Sequence, residues 1–303
     1  MNRRTVALCL LASGLLAATV VGVTTDGGAV ARSGDRVPAV SSTGPLNAVK
    51  PVDCRTTTRG DAALAQEVAA AITEVAPGTR VGLAVHDRLT NTTITSLNAD
   101  EPFYTASVVK LLIAIAVLHE ANWQVPEGQD RADLAAMLSG SSDPVASALW
   151  GAHGATDINH EVSALLGLGG TSPPSQPGQW EMTRMSPRDV VRVYEFIDTE
   201  MPGPARDFVV GALADATRVA IDGFDQYFGI PDALPGAEKA VKQGWMHIRN
   251  GLVLNTTGMI GAEGRYVVAL LTEGPAASTF DPATTALTRG VAVLAPTLTG
   301  PEG

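Results

Sequence analysis

Cysteine is nearly absent from this chain, which has only Cys9 and Cys54 among its 303 residues. Cys9 lies in an uncharged apolar run near the amino terminus, so removal of that run would leave Cys54 alone. A single cysteine excludes an intramolecular disulfide, and stability must then come from the core. The five histidines form neither an H-E-x-x-H motif nor a Cys/His cluster with metal-ligand spacing, so we predict no metal and no cofactor.

Basic residues are also scarce, with 21 Lys and Arg against 31 Asp and Glu and a formal net charge of -10. A phosphate partner needs a surface rich in Lys and Arg, so this balance argues against nucleic-acid binding and favours a small-molecule or cell-wall partner. Only four of the basic residues are lysines. A desolvated lysine can give up its proton near neutral pH whereas arginine cannot, so the few lysines are candidates for a catalytic base.

The amino-terminal segment has the pattern of an export signal. Arg3 and Arg4 precede an apolar run from Val6 to Val23, and polar sequence containing Ala29-Val30-Ala31 follows. This pattern is typical of a secretory signal with an A-x-A cleavage site, although about 18 apolar residues could also remain as a membrane anchor. We therefore predict a signal peptide or anchor at residues 1-31 and an exported protein, secreted or associated with the cell envelope.

The rest of the chain divides into a linker and one folded domain. Residues 32-58 are rich in Ser, Pro, Gly and Thr and have little apolar periodicity, which predicts a flexible linker. Residues 59-296 predict a helix, two strands, a helical block, three strands and a final helix. This order predicts an α+β fold with a five-stranded antiparallel sheet flanked by the terminal helices and an inserted all-helical subdomain. We expect a monomer.

A Gly/Pro/Ser-rich stretch at residues 167-178 interrupts the helical block, and a loop of this length in a compact domain is usually functional. The predicted helices cover residues 61-75, 107-120, 132-138, 145-150, 187-197, 205-214 and 282-294, and the predicted strands cover residues 80-88, 92-97, 240-248, 251-260 and 265-272.

The tetrapeptide Ser107-Val108-Val109-Lys110 opens a predicted helix that is apolar nearly all round. Positions i and i+3 lie on one helix face, so the Lys110 amine can reach the Ser107 hydroxyl and act as its base. Serine needs such a base because its hydroxyl is a weak nucleophile, and the helix start adds N-H groups that can hold an oxyanion. The same tetrapeptide can arise by chance, so alone it is only suggestive.

Two later segments could complete such a site. The first segment is Ser141-Ser142-Asp143-Pro144, in which Ser142 could relay a proton to the leaving group. Ser-Asp-Pro is also a common sequence at the start of a helix, and a helix cap is the simpler interpretation of this segment by itself. In Lys242-Gln243-Gly244-Trp245, a lysine and a close-approach glycine could receive a substrate carboxylate, unless Lys242 is merely an edge-strand lysine.

The order Ser-x-x-Lys, Ser-Asp, Lys-x-Gly resembles the serine β-lactamase and penicillin-binding protein superfamily, and most closely its class A β-lactamase-like branch. The resemblance extends over about residues 59 to 296, and the flanking sequence agrees with it. The stretch from V-G-L-A-V-H-D to F-Y-T-A-S-V-V-K is similar to the first hairpin and central helix of the family. Met185-Ser186-Pro187-Arg188-Asp189 is similar to the helix start that follows its Ω-loop.

The resemblance implies a role for each motif residue. Ser107 would be the acylated nucleophile, Lys110 its activator and Ser142 the second hydroxyl of the proton relay. Lys242 would bind the substrate carboxylate, and the N-H groups of Ser107 and Trp245 would form the oxyanion hole. The implied substrates are β-lactams or peptidoglycan peptides. The expected substrate-binding residues are Lys242, Gln243, Gly244 and Trp245.

The chain also departs from the family pattern. Pro144 replaces the asparagine of Ser-Asp-Asn, and Gln243 replaces the threonine or serine of Lys-Thr-Gly. Glu181 is the nearest candidate for the deacylating glutamate, but it lacks the accompanying asparagine and we do not assign it as a base. The sequence thus predicts an exported β-lactamase-like serine hydrolase that deacylates slowly. The alternative is a non-catalytic protein of this fold that binds a cell-wall or protein partner.

Overall fold

The computed structural model describes residues 59-299, so the predicted export segment at 1-31 and the predicted linker at 32-58 lie outside the described residues. No helix in the described range is both long enough and apolar enough to span a membrane. The strands are β1 (Arg80–Asp87), β2 (Thr92–Leu97), β3 (Phe103–Tyr104), β4 (Arg184–Met185), β5 (Lys239–Ile248), β6 (Gly251–Ile260) and β7 (Tyr266–Pro275).

Helices precede, interrupt and follow these strands. They are α1 (Arg59–Val75), α2 (Lys110–Glu120), α3 (Gly128–Ser139), α4 (Asp143–Ala152), α5 (Asp157–Leu166), α6 (Pro187–Thr199), α7 (Gly203–Ala214), α8 (Ile230–Ala233) and α9 (Phe280–Thr299). Short 3-10 helices lie at Ala106–Val109, Trp180–Met182 and Ala262–Gly264.

Five strands form one antiparallel sheet in the order β2-β1-β7-β6-β5, with β5 at one edge. Successive strand residues point to opposite faces, so Leu83 packs with α1 and α9 on one side and Ala84 packs with the helical block on the other. The two terminal helices also contact each other. The predicted α+β fold, with its five-stranded sheet, terminal helices and inserted helical block, is confirmed.

Helix α2 lies at the centre of the helical block. Its residues from Lys110 to Ala116, together with Leu118, are buried, as expected for a segment that is apolar nearly all round. The predicted helix at 107-120 differs at its start, because Ala106–Val109 forms a tighter 3-10 turn before α2 begins.

Four of the named helices and strands were absent from the sequence prediction, namely β3, β4, α5 and the single turn of α8. Strands β3 and β4 pair over only two residues each, which is too short for an alternating pattern to be visible. Helix α5 buries Ile158, Val162 and Leu166 at every fourth position, a stripe that could have indicated a helix.

The long loop predicted at 167-178 is held against the start of α6. The Asp189 carboxylate accepts hydrogen bonds from Gly170 N at 2.8 Å and from Thr171 Oγ1 at 2.6 Å. Asp189 N in turn donates to Ser186 Oγ at 3.1 Å, which caps the helix. These bonds fix the course of the chain toward the turn at Trp180–Met182, which contacts the 3-10 turn at Ala106–Val109.

Candidate active site

Ser107 lies in the 3-10 turn between β3 and α2 and is almost fully buried. The residue before it, Ala106, has a φ of 45°, a conformation that costs free energy for any residue other than glycine and is found disproportionately at functional sites. Lys110 Nζ lies 2.8 Å from Ser107 Oγ. The i, i+3 spacing thus brings the amine to the hydroxyl, as the sequence predicts.

Lys110 has two further close partners that accept but do not donate. Its Nζ lies 2.7 Å from Ser141 O and 2.6 Å from Asp143 Oδ1. A neutral amine has two N-H groups and one lone pair, so donation to this carbonyl and this carboxylate leaves the lone pair for the Ser107 hydroxyl proton. The contacts therefore suit a lysine that acts as a base.

The second serine of the network is Ser141, not the Ser142 predicted from the motif. Ser141 Oγ lies 3.1 Å from Lys110 Nζ and 2.9 Å from Lys242 Nζ. Ser142 instead caps α4, where its hydroxyl accepts from Val145 N at 3.5 Å. Ser141 has a φ of 56°, and this left-handed turn decides which of two adjacent hydroxyls faces the amines.

Strand β5 lies, at Gly244, against the 3-10 turn that contains Ser107. A Cβ atom at this position would lie 2.6 Å from Thr105 O and 3.3 Å from Ser107 N, so only glycine allows so close an approach. The same strand places Lys242, which is 1% exposed, on the far side of the Ser141 hydroxyl. The sequence predicted close approach of a substrate carboxylate at Gly244, whereas the close approach seen here is to the backbone of the turn that contains Ser107.

Gln243 and Trp245 are directed to other partners. Gln243 is buried, and its Nε2 donates to Phe228 O at 2.6 Å, so this amide is not free to receive a substrate carboxylate. The Trp245 side chain is half-buried, and its Nε1 donates to Asp222 Oδ2 at 3.0 Å. Neither Phe228 nor Asp222 belongs to a motif, so no local signal pointed to these contacts.

The two buried amines affect each other's protonation. Burial lowers the pKa of Lys110, and the neighbouring Asp143 carboxylate partly opposes this because it stabilises the ammonium form. Burial, together with the positive charge of Lys110, holds the pKa of Lys242 well below its usual value. Burial thus makes both amines give up a proton more readily than an exposed lysine does.

Replacing Asp143 with asparagine is expected to shift the pH profile of acylation. The Asp143 carboxylate stabilises the charged amine, so its loss lowers the pKa of Lys110 further. The acidic limb of the acylation rate should then move to lower pH. Acyl-adduct formation measured by mass spectrometry from acidic to alkaline pH tests this, with the exposed Asp157→Asn as control. A profile that stays in place, or moves to higher pH, would contradict the role given to Asp143.

The turn at Trp180–Met182 covers Lys110 with an aromatic ring. Lys110 Nζ lies 4.9 Å from the centroid of the buried Trp180 ring, whose Nε1 donates to Ser147 Oγ at 3.1 Å. Glu181 is only half-buried, and its negative charge raises the pKa of Lys110. Burial has the larger effect, so the pKa of Lys110 remains lowered. The loop thus places an indole, and not a carboxylate, over the amine.

Part of the chain matches a known enzyme family. Residues 63-125, which include Ser107 and Lys110, match the model of the β-lactamase enzyme family. Over 207 residues the chain is 36% identical to the protein named "Putative lipoprotein LppW" of Mycobacterium tuberculosis strain H37Rv. This match covers 66% of the chain and 65% of the relative, so the chain spans about two thirds of that relative's length.

Solved structures show the same fold. The class A β-lactamase from Mycobacterium abscessus is 18% identical with a TM-score of 0.62, over 77% of this chain and 98% of that one. The structure of PBP-A is 18% identical with a TM-score of 0.62, over 78% of this chain and 95% of that one. The chain therefore has the fold of the class A β-lactamase and of PBP-A, and its residues 63-125 match the β-lactamase enzyme family.

Proposed function

We propose that this chain is an exported serine hydrolase that forms an acyl-enzyme at Ser107 with β-lactams or with D-Ala-type cell-wall peptides. One observation carries the proposal, a continuous chain of hydrogen bonds of 2.8, 3.1 and 2.9 Å through four buried side chains. The atoms of this chain, in order, are Ser107 Oγ, Lys110 Nζ, Ser141 Oγ and Lys242 Nζ.

The contacts support a definite path for the proton. Lys110 takes the proton of Ser107 as Oγ attacks the carbonyl carbon, and a tetrahedral intermediate forms. The bond from that carbon to the leaving atom then breaks. Ser141 donates its proton to the leaving atom and recovers one from Lys110, while Lys242 holds the Ser141 hydroxyl in place. The N-H groups of Ser107 and Trp245 are proposed to stabilise the oxyanion.

We expect hydrolysis of the acyl-enzyme to be slow. Deacylation needs a base that activates water, and such a base normally contributes a factor of about 10² to 10⁴ in rate. The Asp143 oxygen nearest the site already accepts from Lys110, and Trp180 covers the amine from the other loop. This arrangement supports acylation more strongly than it supports rapid turnover.

Export and envelope association rest on two kinds of support. The relative from Mycobacterium tuberculosis is named as a lipoprotein, and the sequence pattern at residues 1-31 is typical of a signal peptide or an anchor. The proposed exported form contains the linker at 32-58 and the domain at 59-296, with the segment at 1-31 either removed as a signal peptide or retained as an anchor.

Intact-protein mass spectrometry after incubation with benzylpenicillin tests the acylation. The expected result is a covalent adduct that maps to Ser107, forms on the parent chain and is absent from Ser107→Ala. An adduct that persists for hours indicates a penicillin-binding protein, and one that decays within minutes indicates a β-lactamase. Failure to form any adduct with several β-lactams and with activated D-Ala esters would remove the proposal.

A second candidate function is supported by the ion pair between Lys110 and Asp143, at 2.6 Å. A carboxylate so close favours the ammonium form of Lys110, which cannot accept a proton from Ser107. The chain would then be a non-catalytic member of the fold whose cleft binds a cell-wall or protein partner. In that case peptidoglycan fragments should bind equally to the parent chain and to Ser107→Ala, with no adduct on either.

A further inference from the structure

Asn255 of β6 connects the central sheet to the chain just before Ser107. Its Nδ2 donates to Tyr104 O at 2.9 Å and to Thr105 O at 3.0 Å. Its Oδ1 accepts from Thr272 N at 3.1 Å, and the residue is 0% exposed. The Asn255 amide therefore uses both of its N-H groups and its oxygen inside the protein.

The alternation of β6 explains the direction of this side chain. Asn255 pairs with Leu271 of β7, which packs with the helical block. The next residue, Thr256, pairs with Leu270, which packs with the terminal helices. Successive strand residues point to opposite faces, so Asn255 lies on the same face of the sheet as the helical block. An amide on this buried face needs acceptors for two N-H groups, and two consecutive backbone carbonyls supply them.

The chain that Asn255 binds leads directly into a strained residue. Ala106 has a φ of 45°, a conformation that costs free energy for a residue other than glycine and persists where the surrounding contacts impose it. Ser107 follows at once, so the direction of its Oγ toward Lys110 depends on the backbone path through Ala106. Contacts that hold the two residues before Ala106 therefore affect the position of the Ser107 hydroxyl.

Contacts from several elements hold these two residues. Thr105 N and Thr105 Oγ1 both donate to Thr183 O at 2.9 Å. Tyr104 N donates to Glu273 Oε1 at 2.9 Å. These bonds use the donors of the segment, whereas Asn255 binds its two carbonyl oxygens. The segment is thus held on both its N-H side and its carbonyl side.

The sheet is shaped for this contact at two paired positions. Gly244 of β5 pairs with Asn255, and a Cβ atom at Gly244 would lie 2.6 Å from Thr105 O. The glycine leaves room for the carbonyl, and the amide beside it donates to the same oxygen. Because both amide hydrogens are donated to backbone carbonyls, Asn255 acts on the backbone and not on a substrate.

From these contacts we infer that Asn255 is a positioning residue for the acylation of Ser107. Its amide holds the backbone before the strained residue, so that the Ser107 hydroxyl lies beside the Lys110 amine. The inference rests on the proposed function and adds to it a residue that lies outside the Ser-x-x-Lys, Ser-Asp and Lys-x-Gly motifs. Asn255 itself forms no bond to the substrate and transfers no proton.

Two variants of the full-length chain test the inference with benzylpenicillin. Asn255→Asp keeps the shape of the side chain but removes both N-H donors, and Asn255→Ala removes the whole amide. We expect each to lower the acylation rate constant at saturating benzylpenicillin by at least about tenfold, because a displacement of about 1 Å can cost a factor of about 10². The concentration that gives half the maximal rate should stay within about threefold of the parent, since no binding group is removed.

Two further readouts separate positioning from a loss of stability. Partial unfolding lowers the fraction of molecules that form the adduct, whereas a misplaced hydroxyl lowers the rate at which every molecule forms it. We therefore expect the adduct on both variants to reach the same final extent as on the parent. In Asn255→Ala the acidic limb of the pH profile should also stay in place, because a loosened site would hydrate Lys110, raise its pKa and move the limb to higher pH.

Thr256→Val is the matched control on the same strand. Thr256 is buried, and its Oγ1 accepts from Ile230 N at 3.0 Å on the opposite face of the sheet. Valine keeps the shape of the side chain and removes this bond, so the free energy of unfolding in urea should fall. The acylation rate constant should stay within about twofold of the parent, because the contacts of Asn255 are retained.

The outcomes separate this inference from the proposed function. A loss smaller than about tenfold in either folded variant of Asn255, or an equal loss in Thr256→Val, overturns the inference. A fall only in the final extent of the adduct, or failure of both variants to fold as seen by circular dichroism, assigns Asn255 to stability alone and also overturns it. In these cases the adduct on Ser107 of the parent chain remains. No adduct on the parent chain with any β-lactam or activated D-Ala ester overturns the proposed function itself.

Discussion

Replacing Lys110 with arginine should slow acylation of Ser107 by about a thousandfold. The guanidinium group stays protonated near neutral pH, so it can donate to Asp143 Oδ1 and Ser141 O but cannot take the Ser107 proton. General-base catalysis of this kind contributes about 10² to 10⁴ in rate. The rate of adduct formation with benzylpenicillin, followed by intact-protein mass spectrometry, measures the loss.

The chain contains a matched control for this substitution. Lys239 Nζ donates to the backbone carbonyls of Leu234 at 3.0 Å and Ala237 at 2.9 Å. Arginine can form similar bonds there, so Lys239→Arg should change the acylation rate by less than about twofold. If Lys110→Arg acylates within tenfold of the parent rate, another group accepts the serine proton and the role of Lys110 must be revised.

Replacing Ser141 with alanine should slow acylation by about a hundredfold, because it removes the hydroxyl between Lys110 and Lys242 that is proposed to deliver the proton to the leaving atom. Ser142→Ala is the control, since it changes the adjacent residue in the same way. It removes the α4 cap and should cost about 1 kcal/mol of stability, with acylation within about threefold of the parent. Urea unfolding and adduct formation measure the two effects separately.

The reverse pattern would be equally informative. A large loss of acylation in Ser142→Ala with little loss in Ser141→Ala would support the role that the Ser-Asp motif implies for Ser142. It would also mean that the Ser141 contacts at 3.1 and 2.9 Å do not carry the proton.

Local sequence determined most of the fold. Strands β2 and β6 begin and end at the residues predicted for them, because side-chain pattern and turn residues are properties of a short segment. The contact between Ser107 and Lys110 was predictable for the same reason, since an i, i+3 pair lies within one helical turn. The terminal helices and the helical block followed from the order of the elements.

Tertiary structure decided which side chains complete the site. The choice of Ser141 over Ser142 depends on a positive φ at Ser141, and two adjacent serines have no local feature that predicts it. Gln243 turns from the site because the loop between α7 and α8 presents Phe228 O to its amide. Asp222 is 112 residues from Lys110 in the sequence, and only the packing of this loop brings its charge near that amine. Local geometry repeats along a chain, whereas contacts between distant segments depend on the whole fold. The sequence therefore predicted the contact between Ser107 and Lys110 but not the contacts of Ser141 with both amines.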